Sequence, residues 1–302
     1  MWFLPALITL LAWGTADLFY KIGNNEKEQY SALKTVIMVG LVMGLHAILY
    51  YGVYQGIDYQ WRNLLIYLPV SSMYILSMAV GYFGLRYIEL SISSPISNSS
   101  GAFVVLLSFF FMHGNMAPLE WAAVFLIIIG MFLLGVFEKQ EADAELKASG
   151  AKIDKKYRIS AIAIIFPVIY ALLDAMGTYL DGVYLDYKKI LPEDQANMSY
   201  ELTFLFVGIL VWLYLHFVKK ETVNVFKEKY RGLAAIFETL GQFFYVGAMA
   251  TKSIIAAPMI ASYSIVSIIL ARIFLKEKLS TKQYIVVGFI MIAIAILGFY
   301  DA

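Results

Sequence analysis

The chain has 302 residues, of which 61% are hydrophobic and only 15% are charged, and its mean hydropathy is +0.73. A soluble domain carries about 25% charged residues, so the composition excludes an ordinary soluble fold and predicts a membrane protein. The net charge of +1 gives no indication of a nucleic-acid partner, and the absence of cysteine excludes disulfides and thiolate metal sites.

Ten apolar stretches follow one another along the chain, and a stretch of about 20 apolar residues can cross the roughly 30 Å hydrocarbon core as a helix. The first stretch lacks the basic start of a signal peptide, so we expect it to be a span as well. The sequence therefore predicts an all-α membrane protein with ten transmembrane helices, spans 1 to 10, at residues 2–22, 31–53, 64–88, 92–112, 118–137, 159–182, 198–218, 232–251, 254–275 and 280–299.

The longest polar stretch divides these spans into two groups of five. We predict a first five-helix repeat over residues 1–137, a cytoplasmic linker over 138–158 and a second five-helix repeat over 159–302. With the N-terminus outside, 19 of the 23 lysines and arginines fall on the cytoplasmic side, as the positive-inside rule requires. We therefore expect a multi-pass protein of the plasma membrane with both termini on the non-cytoplasmic side.

Two stretches of the chain match each other at a constant offset of 163 residues. "SSPISNSSGAF" in span 4 aligns with "AAPMIASYSIV" in span 9, which places Pro95 against Pro258 and Ser99 against Ser262. Because each half has an odd number of spans, the second half must be inserted upside down relative to the first. Two inverted repeats are a common architecture of secondary transporters.

The residues also carry a family resemblance. "IFLKEKLSTKQYIVVGFIMIAIAILG" at the end of the chain, with Glu277 closing span 9, resembles the C-terminal signature of EamA-type members of the drug/metabolite transporter superfamily. The first half departs from that signature, with Gly114 where Glu277 aligns, while "AWGTADL" in span 1 resembles the opening motif of the family. The resemblance implies a central cavity lined by spans 1, 3, 4, 6, 8 and 9, with spans 5 and 10 at the periphery. It also implies a substrate among amino acids, sugars, choline-like amines, drugs or lipid-linked sugars.

Carboxylates inside two of the spans are candidate substrate-binding groups. Asp17 in span 1 has Trp13 and Tyr20 on its face of the helix, and Asp174 in span 6 has Tyr170 one turn before it. A charge within a membrane span is costly and usually faces a cavity or a partner. An acid beside aromatic rings suits an organic cation, since both attract positive charge. The alternative for Asp17 is a structural ion pair or a backbone hydrogen bond.

A third acidic face is predicted in span 8, where Glu238, Gln242 and Tyr245 recur at helical spacing. Arg272 at the inner end of span 9 could form a salt bridge with Glu238 or with Asp17, which would make these acids structural. Asp181, near the outer end of span 6, is expected to be solvated.

Further candidates lie in spans 3, 4 and 9. Asn98 is large enough to hydrogen-bond a ligand, Tyr263 lies beside its aligned position, and Tyr74 could complete an aromatic wall. The predicted substrate-binding residues are therefore Trp13, Asp17, Tyr74, Asn98, Tyr170, Asp174, Glu238, Gln242, Tyr245 and Tyr263. The histidines lack metal-binding spacing, so we expect packing roles for them; for His46 the alternative is a proton relay.

Taken together, these features predict a secondary transporter that moves an amine, a quaternary ammonium compound or an amino acid by alternating access. A carboxylate that loses its water can carry a proton in one state and bind a cation in another, so protons are a candidate coupling ion. A flippase for a lipid-linked head group is the alternative. An intramembrane enzyme is disfavoured because no catalytic motif is found, and we expect no metal or cofactor. Spans 5 and 10 could face lipid or a second copy of the chain equally well, which leaves a homodimer open.

Overall fold

The structure is a computed structural model that describes residues 1–24, 28–85, 87, 90–98, 100–112, 117–148, 165–276 and 280–299. Within those ranges the chain is helical with short links and has no strand. The helices are α1 (Phe3–Gly23), α2 (Ser31–His46), α3 (Arg62–Gly84), α4 (Leu90–Ser97), α5 (Ser100–Met112), α6 (Pro118–Ala148), α7 (Ile165–Gly182), α8 (Glu193–Leu213), α9 (Lys229–Ala261), α10 (Ser264–Phe274) and α11 (Thr281–Phe299). Glu277, Gly114, Ser99 and His113 lie outside the described residues.

Three helices continue past their α-helical part as wider π-helical turns. These extensions are Ala47–Tyr54 after α2, Val183–Tyr187 after α7 and Tyr214–Val218 after α8. Five helical stretches within the described ranges are long and apolar enough to cross a membrane: Phe3–Gly23, Ser31–Tyr54, Arg62–Gly84, Glu193–Val218 and Lys229–Phe274. The membrane character predicted from composition is thus visible in the helices themselves.

Two of the predicted spans are interrupted. Span 4 breaks between Ser97, where α4 ends, and Ser100, where α5 begins. Span 9 breaks between Ala261 and Ser264, and spans 8 and 9 are joined into α9 across a single non-helical residue, Lys252. The two breaks lie 164 residues apart, within one residue of the offset of 163 that relates the two sequence stretches.

The helices pack in pairs, each of which joins one helix from either side of the polar link. The pairs are α1 with α9, α2 with α8, α3 with α7, and α6 with α11. Helices α2 and α10 also pack against α9 and α1, and we call α1, α2, α9 and α10 the first helix group. Helices α4 and α5 pack on α7, and α8 on α3, which makes α3, α4, α5, α7 and α8 the second helix group.

The two groups meet most closely where α2 crosses α8. A Cβ atom placed on Gly40 would lie 2.4 Å from the carbonyl oxygen of Phe204, and one placed on Gly208 would lie 3.3 Å from the Cα of Gly40. Only glycine lets the two backbones approach this closely. We call this contact the glycine crossing.

Candidate functional site

A cavity lies between the first and the second helix group. It is lined by residues of α1, α3, α4, α5, α7, α8 and α9 and by Tyr263, which precedes α10. Of the predicted substrate-binding residues, the structure brings together Trp13, Asp17, Tyr74, Asn98, Tyr170, Asp174, Glu238, Tyr245 and Tyr263 around this one cavity. These residues stand up to 250 positions apart in the chain, so the fold alone brings them together.

Asp17 is held across the cavity by two serines of opposite helix groups. Its Oδ2 accepts hydrogen bonds from the hydroxyls of Ser94 on α4 and Ser267 on α10, each at 2.9 Å. Arg272, the partner considered from the sequence, instead has its guanidinium 5.6 Å from the ring centroid of Tyr284. Among the described residues Asp17 has no ion-pair partner, so the predicted salt bridge is not formed in this conformation.

Asp174 has a similar arrangement on the opposite wall. Its Oδ2 accepts a 2.8 Å hydrogen bond from the hydroxyl of Ser100, the first residue of α5. The break in span 4 places this serine at the start of a helix, beside the acid. In both Asp17 and Asp174 one carboxylate oxygen is held by serine while the residue itself lines the cavity, which leaves the other oxygen for a ligand.

Aromatic rings form the wall between the acids. The rings of Trp13 and Tyr245 lie 5.0 Å apart, and those of Trp13 and Tyr263 lie 5.9 Å apart, measured between centroids. Trp13 packs over Gly241, where a Cβ atom would lie 2.3 Å from the indole, and its Nε1 donates to the backbone oxygen of Glu238. The indole is thereby fixed with part of its surface towards the cavity.

Hydroxyl groups close one end of the cavity. The hydroxyls of Tyr74 and Tyr245 lie 2.6 Å apart, and Tyr74 donates to Thr178 at 3.0 Å. These contacts link α3, α7 and α9 and therefore join the two helix groups. Asn98 is turned towards its own helix, where its Nδ2 donates to the Ser94 hydroxyl at 3.2 Å.

Gln242 is the one predicted residue that the structure does not place at the cavity. Its side chain is buried, and its amide nitrogen has no hydrogen-bond partner. At 3.6 residues per turn, Gln242 points about 60° away from Tyr245 around the axis of α9, whereas Glu238 and Tyr245 differ by about 20°. The predicted face was therefore wider than the part of it that reaches the cavity.

Several lining residues were not predicted from the sequence. Tyr82 lies on α3 two turns beyond Tyr74, and this spacing could have identified it. Tyr200 comes from α8, in a span that the family resemblance does not place at the cavity, and no signal in the sequence pointed to it. Asp181 was expected to be solvated, but it is fully buried and accepts a hydrogen bond from the hydroxyl of Tyr67.

The electrostatics of the lining are one-sided. Three carboxylates, of Asp17, Asp174 and Glu238, line the cavity, and its described lining includes no lysine, arginine or histidine. The open volume is about 80 Å³, which holds several water molecules at roughly 10–15 Å³ each. A larger ligand would require the two helix groups to move apart. No group of three or more histidine or acidic side chains in the described ranges is placed to hold a metal.

The comparison with protein families is decisive for the class of protein. The model of the EamA-like transporter family matches residues 1–136 and 187–299. The chain belongs to the EamA-like transporter family. It is therefore a membrane transporter of the drug/metabolite transporter superfamily, as the motifs in its first and last spans indicated.

The fold is also found among solved structures, of which 28 chains match. One of them, described only as "Crystal structure of protein", has a TM-score of 0.66 and 13% sequence identity and covers 97% of this chain and 95% of that chain. At that identity the likeness shows the fold alone. No curated protein matches the sequence.

Proposed function

We propose that this EamA-like transporter moves a small organic cation, an amine or a quaternary ammonium compound, or the ammonium end of an amino acid. The observation that carries the proposal is the cavity lining, which combines three carboxylates with aromatic rings and has no basic side chain among the described residues. An anionic substrate would meet repulsion from every charged group there.

The proposed binding mode uses both kinds of group. The ammonium lies between Asp17 and Asp174, against the oxygens that the serines leave open, with Trp13, Tyr245 and Tyr263 beside it. A cation over an aromatic face gains about 0.5–2 kcal/mol, more when it is removed from water. A primary amine also donates hydrogen bonds to the carboxylates, whereas a quaternary ammonium uses charge and the ring faces alone.

The proposed architecture has ten spans in two inverted repeats, residues 1–137 and 159–302, with a linker over 138–158. Two observations support it: the helix breaks at Ser97–Ser100 and Ala261–Ser264 are related by an offset within one residue of the repeat offset, and the family model matches one segment in each half. Exchange of conformation between two related halves is how inverted-repeat transporters alternate their access. We place the protein in the plasma membrane with both termini on the non-cytoplasmic side, as the distribution of lysine and arginine favours.

In the proposed cycle, the Tyr74–Tyr245–Thr178 contact closes the outer end of the cavity. The lining continues in the other direction to Leu85 and Leu90, at the end of α3 and the start of α4. Substrate would therefore exchange on the cytoplasmic side in this conformation, and the tyrosine contact would break when the outer side opens. Protons remain a candidate coupling ion.

The lipid-linked head-group flippase stays an alternative, without an observation in its favour. A homodimer is equally undecided. Helices α6 and α11 pack on each other, and side chains such as Phe132 and Ile292 remain exposed there to lipid or to a second copy.

The proposal is tested by ligand-induced thermal stabilisation of the purified protein. The panel contains choline, betaine, polyamines, aromatic and aliphatic amino acids, and hexoses. A ligand present at 100 times its dissociation constant stabilises the folded state by about 2.7 kcal/mol. We expect organic cations to raise the unfolding temperature of the wild-type protein, and this shift to be lost in Asp174→Asn and Asp17→Asn.

The matched control is Asp58→Asn, which removes the same charge from an exposed position in the link between α2 and α3. It should respond to ligands like the wild type. Stabilisation by hexoses or by anionic compounds, with a normal response in Asp174→Asn, would show that the acids do not bind the substrate and would overturn the proposal.

A further inference from the structure

Glu201 is a buried acid outside the cavity, and its ionisable partner is a histidine. Glu201 on α8 is completely inaccessible to solvent, and both of its carboxylate oxygens lie 2.8 Å from Nδ1 of His46 at the end of α2. From the sequence we expected a packing role for His46, with a proton relay as the alternative; the structure pairs it with an acid from the other helix group. The His46 side chain itself is 26% exposed, whereas the carboxylate is fully enclosed.

The surroundings of this pair are largely uncharged. Its neighbours on the packed elements are the rings of Tyr50 and Tyr51 on the continuation of α2 and of Phe243 on α9. Two acids at the start of α8 lie near this aromatic cluster: the charge of Asp194 acts on Tyr51, and Glu193 lines the same pocket as Tyr51 and Phe243. Tyr59, in the link before α3, packs at its edge and bonds to Ser199. His46 and Glu201 are thus the histidine and the carboxylate that face each other within this aromatic cluster.

The pair has a counterpart on the other side of the glycine crossing. His46 lies six residues after Gly40 along α2, and Lys34 lies six residues before it. The Lys34 Nζ is 3.1 Å from Glu221, in the chain that follows α8. Each end of the crossing is therefore tied by one ion pair between the two helix groups. Only the pair at the His46 end contains a histidine, the residue type that most often acts as a proton-dependent switch.

We propose that His46 and Glu201 form a proton-binding site that holds the bundle closed at that end and couples opening to proton release. In the closed state the pair carries one proton, on His46 Nδ1, and the imidazolium balances the buried carboxylate. When the groups separate about the glycine crossing, the N–H bond of His46 breaks and its proton passes to water. The imidazole keeps the electron pair, and water hydrates the Glu201 carboxylate. The role in transport rests on the proposed function, whereas the opening itself requires no substrate.

The direction of the pH effect follows from the proton count. The closed state holds one proton more than the open state, so raising the pH favours opening at this end. The ratio of open to closed molecules changes by up to tenfold per pH unit when a single proton is released.

The chain contains no cysteine, so two cysteines can be introduced for labelling without first removing any native ones. We suggest spin labels on Val53→Cys, at the end of α2, and Lys188→Cys, after α7, which are exposed positions in different helix groups. Distances are measured by pulsed electron paramagnetic resonance in lipid nanodiscs from roughly pH 5 to 9, the range in which histidine titrates. We expect a second, longer distance whose fraction rises with pH.

Substitutions of the histidines and of Glu201 show which group causes the pH dependence of the distance. In His46→Gln and in Glu201→Gln the pH dependence should be lost. In a variant that carries both His113→Gln and His216→Gln, His46 is the sole remaining histidine, and the pH dependence should be kept. This last variant leaves the pair intact, so the test does not depend on the folding of the first two.

A distance distribution that does not change with pH in the labelled native protein would overturn the proposal. So would loss of the pH dependence in the double histidine variant, or its survival in a folded His46→Gln. None of these outcomes depends on which compounds the cavity binds, so failure of this inference and failure of the organic-cation proposal are distinguishable.

Discussion

At the scale of single residues, the buried hydrogen bond between Tyr67 and Asp181 stands out as a structural link between α3 and α7. Both residues are fully buried, and the second oxygen of Asp181 has no hydrogen-bond partner among the described residues. The Tyr67 hydroxyl is therefore the closest hydrogen-bond donor to this carboxyl group among the described residues, and the Tyr245 hydroxyl is the other that reaches it. A buried polar group that loses such a partner costs about 1–3 kcal/mol.

We expect Tyr67→Phe to lower the free energy of unfolding by about 1–3 kcal/mol, because it removes the closest hydrogen-bond donor from the buried Asp181 carboxyl group. The thermal unfolding midpoint of the purified protein measures the effect. Tyr54→Phe is the matched control, since Tyr54 is 81% exposed and should unfold like the wild type. Equal midpoints for the two variants would show that the hydrogen bond is not a stabilising link.

Asp181 also illustrates how far the sequence could be read at this scale. The position of the residue near the end of a span suggested solvation, because distance along a helix is all that a sequence offers. Burial depends on Tyr67, which comes from another helix and lies more than a hundred residues away. By contrast, Asp17, Asp174 and Glu238 were found because helical spacing within one span already placed them beside aromatic rings.

At the scale of helices, the glycine crossing fixes how α2 and α8 pack. The contact is between backbones, so any side chain on Gly40 enters the space of the Phe204 carbonyl. A backbone atom cannot rotate away, unlike the far end of a flexible side chain. The two helices must then separate or tilt.

We expect Gly40→Ala to destabilise the protein by about 1–3 kcal/mol, the usual cost of overpacking. Gly208→Ala should cost less, because its nearest contact, to the Cα of Gly40, is 3.3 Å rather than 2.4 Å. Gly288→Ala in α11 is the control; nothing lies within 4 Å of its added Cβ, and alanine favours a helix over glycine. Thermal unfolding midpoints rank the three variants, and a Gly40→Ala protein as stable as Gly288→Ala would contradict the crossing.

Helix existence was predictable from apolar length, but helix breaks were not. The interruptions near Asn98 and Ser262 lie inside stretches whose hydropathy is continuous, so nothing in the pattern marks a stop. Pro95 and Pro258 stand at matching positions, where a proline can begin or kink a helix; the backbone shows an actual gap between α4 and α5 and between α9 and α10. These gaps decide which serines reach Asp17 and Asp174.

At the scale of the whole molecule, an ionic cluster gathers the helix ends at the side that we propose to be cytoplasmic. Glu28, between α1 and α2, accepts hydrogen bonds from Lys34 at 2.7 Å and from Arg231 on α9, which also pairs with Glu228. Glu221, after α8, joins through Lys34. Partial burial opposes the ionisation of Glu28, but the hydrogen bonds from Lys34 and Arg231 outweigh it, so its pKa lies below the usual range of glutamate.

The sign of the pH dependence follows from that lowered pKa. The ionised Glu28 stabilises the folded protein at pH values above about 4.3, the ordinary value for glutamate, and the contribution is lost as the pH falls through the lower folded-state pKa. We expect Glu28→Gln to unfold at a lower temperature than the wild type at pH 7 and at the same temperature near the acid limit. Asp58→Asn, an exposed acid, should match the wild type at both. A difference between Glu28→Gln and the wild type that does not shrink with acid would contradict the assignment.

The glycine crossing has a consequence for the energy needed to switch the molecule. In the proposed cycle the two helix groups tilt about this crossing, where backbone rather than side chains is in contact at Gly40 and Gly208. In that cycle, the balance between the two tilted states depends on a small number of groups at the two ends of the crossing, such as the His46–Glu201 pair. To turn a nine-to-one preference into one-to-nine takes only about 2.6 kcal/mol, the size of one ligand or one proton bound more tightly in one state than in the other. The binding of one ligand or one proton is therefore sufficient to switch the proposed equilibrium.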